Sequence, residues 1–319
     1  MAFTYGIKLP GFNYKKIWVK EVNAKLYKDL VKSLYNNDTT EFLHHLNQVV
    51  EHVSPGILLD GLNVVDKIIL LLNIRSVCIS PDLKLEAVCN DTKKKFEYII
   101  KIEDLVAKLG NIHYNKSVTF NNITINHSIV KAIDEINFIN IEPEKMFSYQ
   151  LASCIDSMTV NEKFLSFKGL TFSERIELVE KLPLTLATEV YKSLTRVEDS
   201  LADTKLLSIK SPYTGSYVVN LSVSTNTEVL LEFCKLIFND DLINLYKINL
   251  NLISKANFTP EYVDSITPAE QLLYWTLFVQ QAEKEQSEAN SGSKSRDTSV
   301  PGFNGMPLDI GKNSPSEFT

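Results

Sequence analysis

Two features that place a protein in or beyond a membrane are missing from this sequence. Its most apolar segment, residues 62–74, is shorter than the ~20 residues of a membrane-spanning helix and is interrupted by Asp66 and Lys67. A secretory signal has a positively charged start and a continuous apolar run, whereas residues 1–12 alternate in polarity and turn at Pro10. We therefore expect no membrane partner and no export, and we interpret residues 62–74 as a core helix.

Cysteine is scarce, and the cysteine spacing indicates no disulfide framework. The four cysteines are far apart and show no paired spacing. In a chain without an export signal, such thiols are expected to be reduced and to pack as small apolar side chains. They are Cys78, Cys89, Cys154 and Cys234.

The basic excess that nucleic-acid binding requires is also missing. The chain has 33 Lys and Arg against 39 Asp and Glu, a net charge of -6. Residues 1–110 hold 15 basic and 13 acidic side chains, or +2, which leaves 18 and 26, or -8, for the remainder. Because affinity for nucleic acid depends on neutralising many phosphates, neither part predicts such a partner.

Metal ligands are few and poorly spaced. Cys89 stands where a zinc knuckle would have its first cysteine, but the second position is Thr92, which does not bind zinc. His45 and His52 lie two helical turns apart, farther than the one turn that separates paired ligands. The sequence therefore predicts neither a metal site nor a cofactor, and Cys89 is interpreted as a thiol packed beside a turn.

No catalytic motif is present. The chain has no G-x-S-x-G elbow, and no serine or cysteine stands in a signature turn. We expect a protein that binds and does not catalyse. The alternative left open is an enzyme with an unfamiliar site in a cleft between domains.

The periodicity of apolar residues predicts an α+β fold that is predominantly helical. Residues 3–19 alternate around Pro10-Gly11 and predict a β-hairpin, and residues 83–102 predict a second, ribbon-like hairpin around Asn90-Asp91-Thr92. Residues 117–126 predict a third, small hairpin. From about Lys145 onward the pattern is mainly helical, with strand character only near residues 216–224.

Helix start signals are clear at four positions, because each combines an N-cap side chain with apolar residues at helical spacing. Asp38, Thr171 and Thr267 are each followed three residues later by glutamate, and Asn23 precedes a run of leucines. Pro268 strengthens the last of these signals, since proline suits the first turn of a helix.

The changes in pattern predict four segments. Residues 1–110 form an N-terminal α+β domain, residues 111–144 a β-rich connection, and residues 145–286 a mainly helical domain. Residues 287–319 contain 4 of the 11 glycines and 3 of the 11 prolines, and are expected to be disordered because they offer little apolar surface to offset their ordering entropy.

Apolar residues nevertheless interrupt the polarity of the last segment. Such residues on a flexible leash are typical of a linear motif that orders against a groove or a sheet edge of a partner. The alternative is an inert extension. The residues that we predict to bind a partner are Phe303, Met306, Leu308 and Ile310.

An ordered set of segments resembles a known family. IKLP is followed by KKIWVKEV, a helix opening NAKLYKDL, an apolar helix ending LLLNIRSVCIS, and the hairpin LEAVCNDTKKKFEYIIKIEDL. Late in the chain, SITPAEQLLYWTLF is similar to a closing helix with a Pro-x-Glu cap. This set resembles the baseplate hub assembly proteins of T-even-type, contractile-tailed bacteriophages. Thr92 departs from related sequences, which often carry a second cysteine there.

The resemblance, best over residues 1–110, implies a non-enzymatic assembly factor or chaperone. Such a protein binds tail hub or spike proteins in the host cytoplasm while the tail is assembled. The alternative is a permanent structural subunit of the baseplate in the virion.

Overall fold

Short antiparallel hairpins alternate with helices along the chain. The computed structural model describes residues 4–12, 16–36, 38–54 and 59–292. These residues form ten strands: β1 (Thr4–Lys8), β2 (Lys16–Lys20), β3 (Asp82–Val88), β4 (Lys95–Lys101), β5 (Lys116–Phe120), β6 (Ile123–His127), β7 (Ile155–Val160), β8 (Lys163–Ser166), β9 (Lys205–Lys210) and β10 (Tyr217–Ser222).

Helices make up most of the remaining described chain, so the prediction of a predominantly helical α+β fold is confirmed. They are α1 (Ala24–Tyr35), α2 (Thr39–Val53), α3 (Val64–Cys78), α4 (Ile102–Gly110), α5 (Met146–Cys154), α6 (Phe172–Glu180), α7 (Leu184–Ala202), α8 (Thr227–Phe238), α9 (Leu242–Ser254), α10 (Pro260–Ser265) and α11 (Pro268–Gly292). Short 3-10 helices cover Pro10–Phe12, Leu59–Gly61, Ala132–Phe138 and Pro143–Lys145.

The four helix starts predicted from the sequence are confirmed by their hydrogen bonds. The Asn23 side chain accepts from the backbone N–H of Leu26, and Asp38 accepts from two N–H groups in the first turn of α2. Thr171 and Thr267 each exchange hydrogen bonds with the glutamate three residues on, which completes a capping box at α6 and at α11.

All strand pairs in the described part are antiparallel. Three are separate two-stranded hairpins, β1 with β2, β3 with β4, and β9 with β10, while β5, β6, β7 and β8 form one sheet in that order. The hairpins predicted at residues 3–19, 83–102 and 117–126 are therefore confirmed. Asn121 takes up the left-handed backbone conformation at the β5–β6 turn, with φ of 52°, which asparagine tolerates well.

The mainly helical interpretation after Lys145 is confirmed, although β7, β8 and β9, which were not predicted, also lie there. In β7, IDSMTV alternates only weakly between apolar and polar residues, and β8 has four residues. β7 becomes a strand by pairing with β6, from Ile123 opposite Val160 to His127 opposite Ile155. This partner is distant in the sequence, so the local pattern did not reveal it.

Helix α3 lies at the centre of the core and confirms the predicted core helix. All its apolar side chains except Val77 are buried, and so are three charged ones, Asp66, Lys67 and Arg75. A helix with no solvated face must pair its charges internally. Those pairs connect α3 to later parts of the chain.

The 3-10 helix Ala132–Phe138 takes part in two buried ion pairs, one with α3 and one with α6. Glu135 accepts a hydrogen bond from the Lys67 ammonium of α3. Its neighbour Asp134 is held by both terminal nitrogens of Arg175 on α6, each at 2.6 Å. All four side chains are almost completely buried, so this short helix connects α3 with α6 through charge.

A third pair fixes the loop between α8 and α9. Arg75, on α3, donates to the Asp240 carboxylate at 2.5 and 3.1 Å, and Tyr27 of α1 donates to the same carboxylate. The sequence indicated Arg75 only as part of a helix ending. Arg75 interrupts an apolar stretch because its buried guanidinium is paired with Asp240.

Residues 1–275 form one compact unit and residues 276–319 form a second. In the first, one hydrophobic cluster contains residues from all three segments predicted before residue 286, from Ile7 to Phe238. The second is described as far as Gly292 and consists of the remainder of α11, which includes residues 287–292 of the predicted tail. The domain boundaries drawn from the sequence stay predictions.

Candidate functional site

Cys89, the cysteine with the best metal-like position in the sequence, lies where the ends of two hairpins meet. Its thiol is buried beside the β9–β10 turn, with Sγ 3.7 Å from Thr214 Oγ1. Hydrogen bonds from the hydroxyl groups of Ser211 and Thr92 lower the pKa of this thiol to about 6. Its hydrogen-bond partners are hydroxyls, and within the described residues Cys89 belongs to no group of three or more metal-ligating side chains.

The same two hairpin ends are held by further contacts. Asp91, in the β3–β4 turn, accepts a hydrogen bond of 2.8 Å from the Ser216 hydroxyl. Tyr213 donates to the Lys95 carbonyl at 3.2 Å, and its ring stacks edge-on with Phe96 at 6.2 Å. These side-chain contacts hold the ribbon-like β3–β4 hairpin against the β9–β10 turn.

One histidine is paired with a serine inside the protein. His127, at the end of β6, is 1% exposed, and its Nε2 lies 2.9 Å from Ser193 Oγ on α7. Its Nδ1 lies 3.5 Å from the carbonyl of Ser128, where a catalytic triad would have a carboxylate. Desolvation lowers the pKa of His127, so the imidazole is held neutral. Over residues 4–12, 16–36, 38–54 and 59–292, no group of three or more His, Cys, Asp or Glu could hold a metal ion.

Helix α9 carries an apolar stripe on its outer face. Its inner face, with Ile248 and Leu252, is buried, and α9 lies beside α1 and α10. On the opposite face, residues spaced by three and four positions are 64%, 50% and 65% exposed. These are Ile243, Tyr246 and Leu250, which we call the α9 stripe.

A groove of about 600 Å³ follows β10, and we call it the β10 groove. It is lined by eight successive residues, 220–227, that form the end of β10, the chain after it and the start of α8. The other lining residues come from the 3-10 helix Ala132–Phe138 and the chain before it, and from α5, α7 and α8. They include the apolar side chains of Phe138, Met146 and Val229.

Acidic and hydroxyl groups complete the β10 groove. Glu198 on α7 accepts hydrogen bonds from Gln150 Nε2 at 2.7 Å and from Thr225 Oγ1 at 2.6 Å, both at Oε1. The neighbouring Asp199 is exposed. Thr227, at the first turn of α8, is 3% exposed, and its hydroxyl has no hydrogen-bond partner among the described residues. The groove therefore offers apolar walls, two carboxylates and an unused hydroxyl.

Residues 3–223 match a family model described as T4 bacteriophage base plate protein. The match covers more than half of the 319 residues. This chain belongs to the T4-type phage baseplate protein family. No curated protein and no solved structure matches it.

Membership of this family gives the protein a phage baseplate role, which indicates association with the virion and with other baseplate proteins. The predicted resemblance to a phage baseplate family is confirmed. A membrane-crossing helix of sufficient length and apolarity is not found in the described part of this baseplate protein.

The matched region of this baseplate protein includes the two docked hairpins, β10 and most of the β10 groove. Helices α8, α9, α10 and α11 follow it, so the α9 stripe lies outside the matched residues. The α9 stripe therefore lies in a region that the family model does not match.

The partner-binding residues predicted from the sequence lie outside the described residues. They are Phe303, Met306, Leu308 and Ile310, all beyond Gly292. The α9 stripe was not predicted, although its spacing is visible in DLINLYKINLNLIS. Because Ile248 and Leu252 make the helix apolar on both faces, the sequence alone does not show which face is solvated.

Proposed function

We propose that this baseplate protein is a non-enzymatic assembly factor, or chaperone, for the central hub of the phage tail. It binds tail hub or spike proteins in the host cytoplasm during infection, and its work is to hold them before or during assembly. Family membership supports a baseplate role, and the α9 stripe is the observation that supports binding through an apolar surface.

The α9 stripe is suited to a protein partner. Covering a large apolar side chain contributes about 1.5–3 kcal/mol, so three such side chains on one helix face can supply a substantial part of a specific interface. Lys28 lies 5.6 Å from the Tyr246 ring centroid and provides a cation at the edge of the stripe. An apolar patch with a charged rim is typical of binding surfaces.

The tail supplies a second contact in this proposal. Phe303, Met306, Leu308 and Ile310 bind an apolar groove or sheet edge on the client, as linear motifs do. Two weak contacts on one chain strengthen each other, because the second forms at a high effective concentration once the first is made.

Co-expression with the hub and spike proteins of the same phage tests the proposal. We expect a complex that co-purifies with this chain. Changing both Ile243 and Leu250 to Gln should weaken binding at least about tenfold, since the polar side chains no longer gain from being covered. Leu184→Gln, at an aliphatic residue 75% exposed elsewhere, is the matched control and should leave binding unchanged. No association in any combination would contradict the proposal.

A permanent structural subunit is the second candidate function. Large apolar side chains are exposed on several further elements, including Trp18 at 59% and Phe164 at 69%, and would suit a larger, obligate interface. Quantitative mass spectrometry of purified virions separates the two candidates. A stoichiometric amount of this chain indicates a subunit, and near absence indicates a chaperone.

A further inference from the structure

The turns at the ends of two hairpins have the same backbone. Residues 89–94 connect β3 to β4, and residues 211–216 connect β9 to β10. In both turns the N–H of the first residue donates to the carbonyl of the sixth, at 2.9 and 2.8 Å, and the N–H of the fifth donates to the carbonyl of the first, at 2.9 Å. The fifth residue is left-handed in both, Lys93 with φ of 57° and Gly215 with φ of 72°. The two turns therefore correspond position by position.

The side chains at the first and fourth positions of the turns also correspond. The first positions are Cys89 and Ser211, which are 0% and 2% exposed. The fourth positions are Thr92 and Thr214, and each hydroxyl accepts a hydrogen bond from the N–H of the sixth residue, at 3.5 and 3.4 Å. Each turn thus presents two side chains three positions apart, C-x2-T in one hairpin and S-x2-T in the other.

These four side chains converge on one atom, the sulfur of Cys89. The hydroxyls of Ser211 and Thr92 form hydrogen bonds with this sulfur, and Thr214 Oγ1 lies 3.7 Å from it. The backbone N–H of Thr92 donates to the same atom. The point where the two turns meet is therefore surrounded by one thiol and three hydroxyls, which come from two separate hairpins.

Two turns that each bring a pair of side chains to one point have the arrangement of a structural zinc site. Such a site takes four thiolate or imidazole ligands in tetrahedral geometry, and its paired ligands are commonly separated by two residues. Serine and threonine are not ligands of such sites, so only Cys89 has the required chemistry. The two pairs lie on hairpins that are far apart in the sequence, and the local spacing therefore did not reveal the arrangement.

We propose that these two turns form the frame of a tetrahedral zinc site in which hydroxyls occupy three of the four ligand positions. In this chain, hydrogen bonds between the Cys89 sulfur and the hydroxyls of Thr92, Ser211 and Thr214 hold the hairpin ends together in place of a metal ion. With thiols at those three positions, the same frame binds one Zn²⁺ ion.

The electrostatics of Cys89 agree with this role. Hydroxyl and backbone donors lower its pKa to about 6, whereas burial raises the pKa of Cys78 and of Cys234 to about 12 and raises that of Cys154 as well. Hydrogen bonds to an ionised acceptor are roughly twice as strong as those to a neutral one. Near neutral pH the cluster is therefore a thiolate that is held by hydroxyl donors.

Cobalt binding tests the frame in the full chain. For Thr92→Cys/Ser211→Cys/Thr214→Cys, we expect one Co²⁺ ion per chain with the intense visible bands of tetrahedral thiolate coordination. Zn²⁺ should displace it with a Kd below about 1 μM near neutral pH. Zn²⁺ should also raise the urea midpoint of this variant and leave that of the native chain unchanged, because a metal stabilises only a folded state that binds it.

A matched control moves one thiol within its turn. Asn90→Cys/Ser211→Cys/Thr214→Cys has the same number of thiols, but one stands at the second position of the turn instead of the fourth. It should bind Co²⁺ at least about tenfold more weakly, because tetrahedral closure needs all four ligands at one point.

A milder variant covers the case in which the buried Ser211 does not accept a larger sulfur. Thr92→Cys/Thr214→Cys changes two exposed side chains only and places three thiols at the frame. We expect it to bind Co²⁺ with tetrahedral bands, since water can complete a site that has three protein ligands.

Ultraviolet absorbance of the thiolate tests the hydroxyl cluster in the native chain. A thiolate step near pH 6 that is absent from Cys89→Ser reports this residue, because the other thiols ionise at much higher pH. Thr92→Val/Thr214→Val removes two hydroxyls and should move the step upward by at least about one pH unit. The control Thr119→Val/Thr124→Val removes a hydroxyl pair at 3.1 Å on the β5–β6 hairpin and should leave the step in place.

Three results would overturn the inference. The first is octahedral Co²⁺ or no Co²⁺ in both thiol variants when circular dichroism shows that they are folded. The second is equal affinity for Co²⁺ in the triple variant and its Asn90→Cys control. The third is a Cys89 thiol that ionises at the ordinary pKa of about 8.5 and is not shifted by the two valines. The third measurement needs no metal, so it decides the inference even if the thiol variants do not fold.

Discussion

At the scale of single residues, charged side chains inside the core connect distant parts of the chain. Asp66 is completely buried, yet it accepts hydrogen bonds from the Gly11 N–H, the Asn63 amide and the Tyr114 hydroxyl. These donors connect α3 to the N-terminal 3-10 helix and to the chain before β5. A single carboxylate thereby fixes three parts of the fold.

The pH dependence of stability should report Asp66. Burial raises its pKa from 3.8 to about 6, so the native state binds this proton more tightly than the unfolded chain does. The resulting stabilisation is complete below pH 3.8 and is lost as the pH rises through about 6. Relative to Asp66→Asn, we expect the free energy of unfolding of the native chain to fall by up to about 3 kcal/mol between about pH 4 and pH 7. Parallel curves from urea unfolding at each pH would contradict this.

The Arg175–Asp134 pair gives a second prediction. Asp134→Asn should lower the free energy of unfolding by about 3–5 kcal/mol, because it leaves the buried guanidinium without its counter-charge. The exposed pair of Lys192 and Glu189, at 2.8 Å, is the control, and Glu189→Gln should cost about 1 kcal/mol or less. Urea unfolding at constant pH measures both, and equal effects would show that burial adds nothing to the first pair.

At the scale of elements, local signals specify helix starts well and strands less well. Thr267 and Glu270 form a capping box that the sequence shows directly, because both partners lie within four residues. The strand β9 was not predicted, although β10, its partner, was. In LLSIK three of the five residues are buried, and so short an apolar run does not distinguish a strand from a buried helix.

Removing the α11 cap tests how much this local signal contributes. Thr267→Ala should lower the free energy of unfolding by about 1 kcal/mol, because the Glu270 N–H loses its acceptor. Thr267→Ser keeps the hydroxyl and should lower it by much less. Thermal unfolding of the three proteins provides the comparison, and identical losses from Ala and Ser would assign the effect to packing of the methyl group.

At the scale of the whole molecule, the tail is expected to contribute to partner binding but not to stability. Every buried apolar side chain of the described residues precedes Thr276. Deleting residues 293–319 should therefore leave the cooperativity of urea unfolding intact. The same deletion should weaken binding to the hub or spike client at least about tenfold, because the tail anchors and their effective concentration are lost. An unchanged dissociation constant would show that the tail is an inert extension.

The sequence by itself determined the elements whose signals are local: the capped helices, the hairpins at polar turns, and the core position of residues 62–74. It also indicated the baseplate family through an ordered set of short segments. Only the tertiary structure decided that Arg75 reaches Asp240, that β7 joins β6, and that one face of α9 is left exposed. Caps and turns form between residues a few positions apart, whereas burial and ion pairing depend on which distant segments meet.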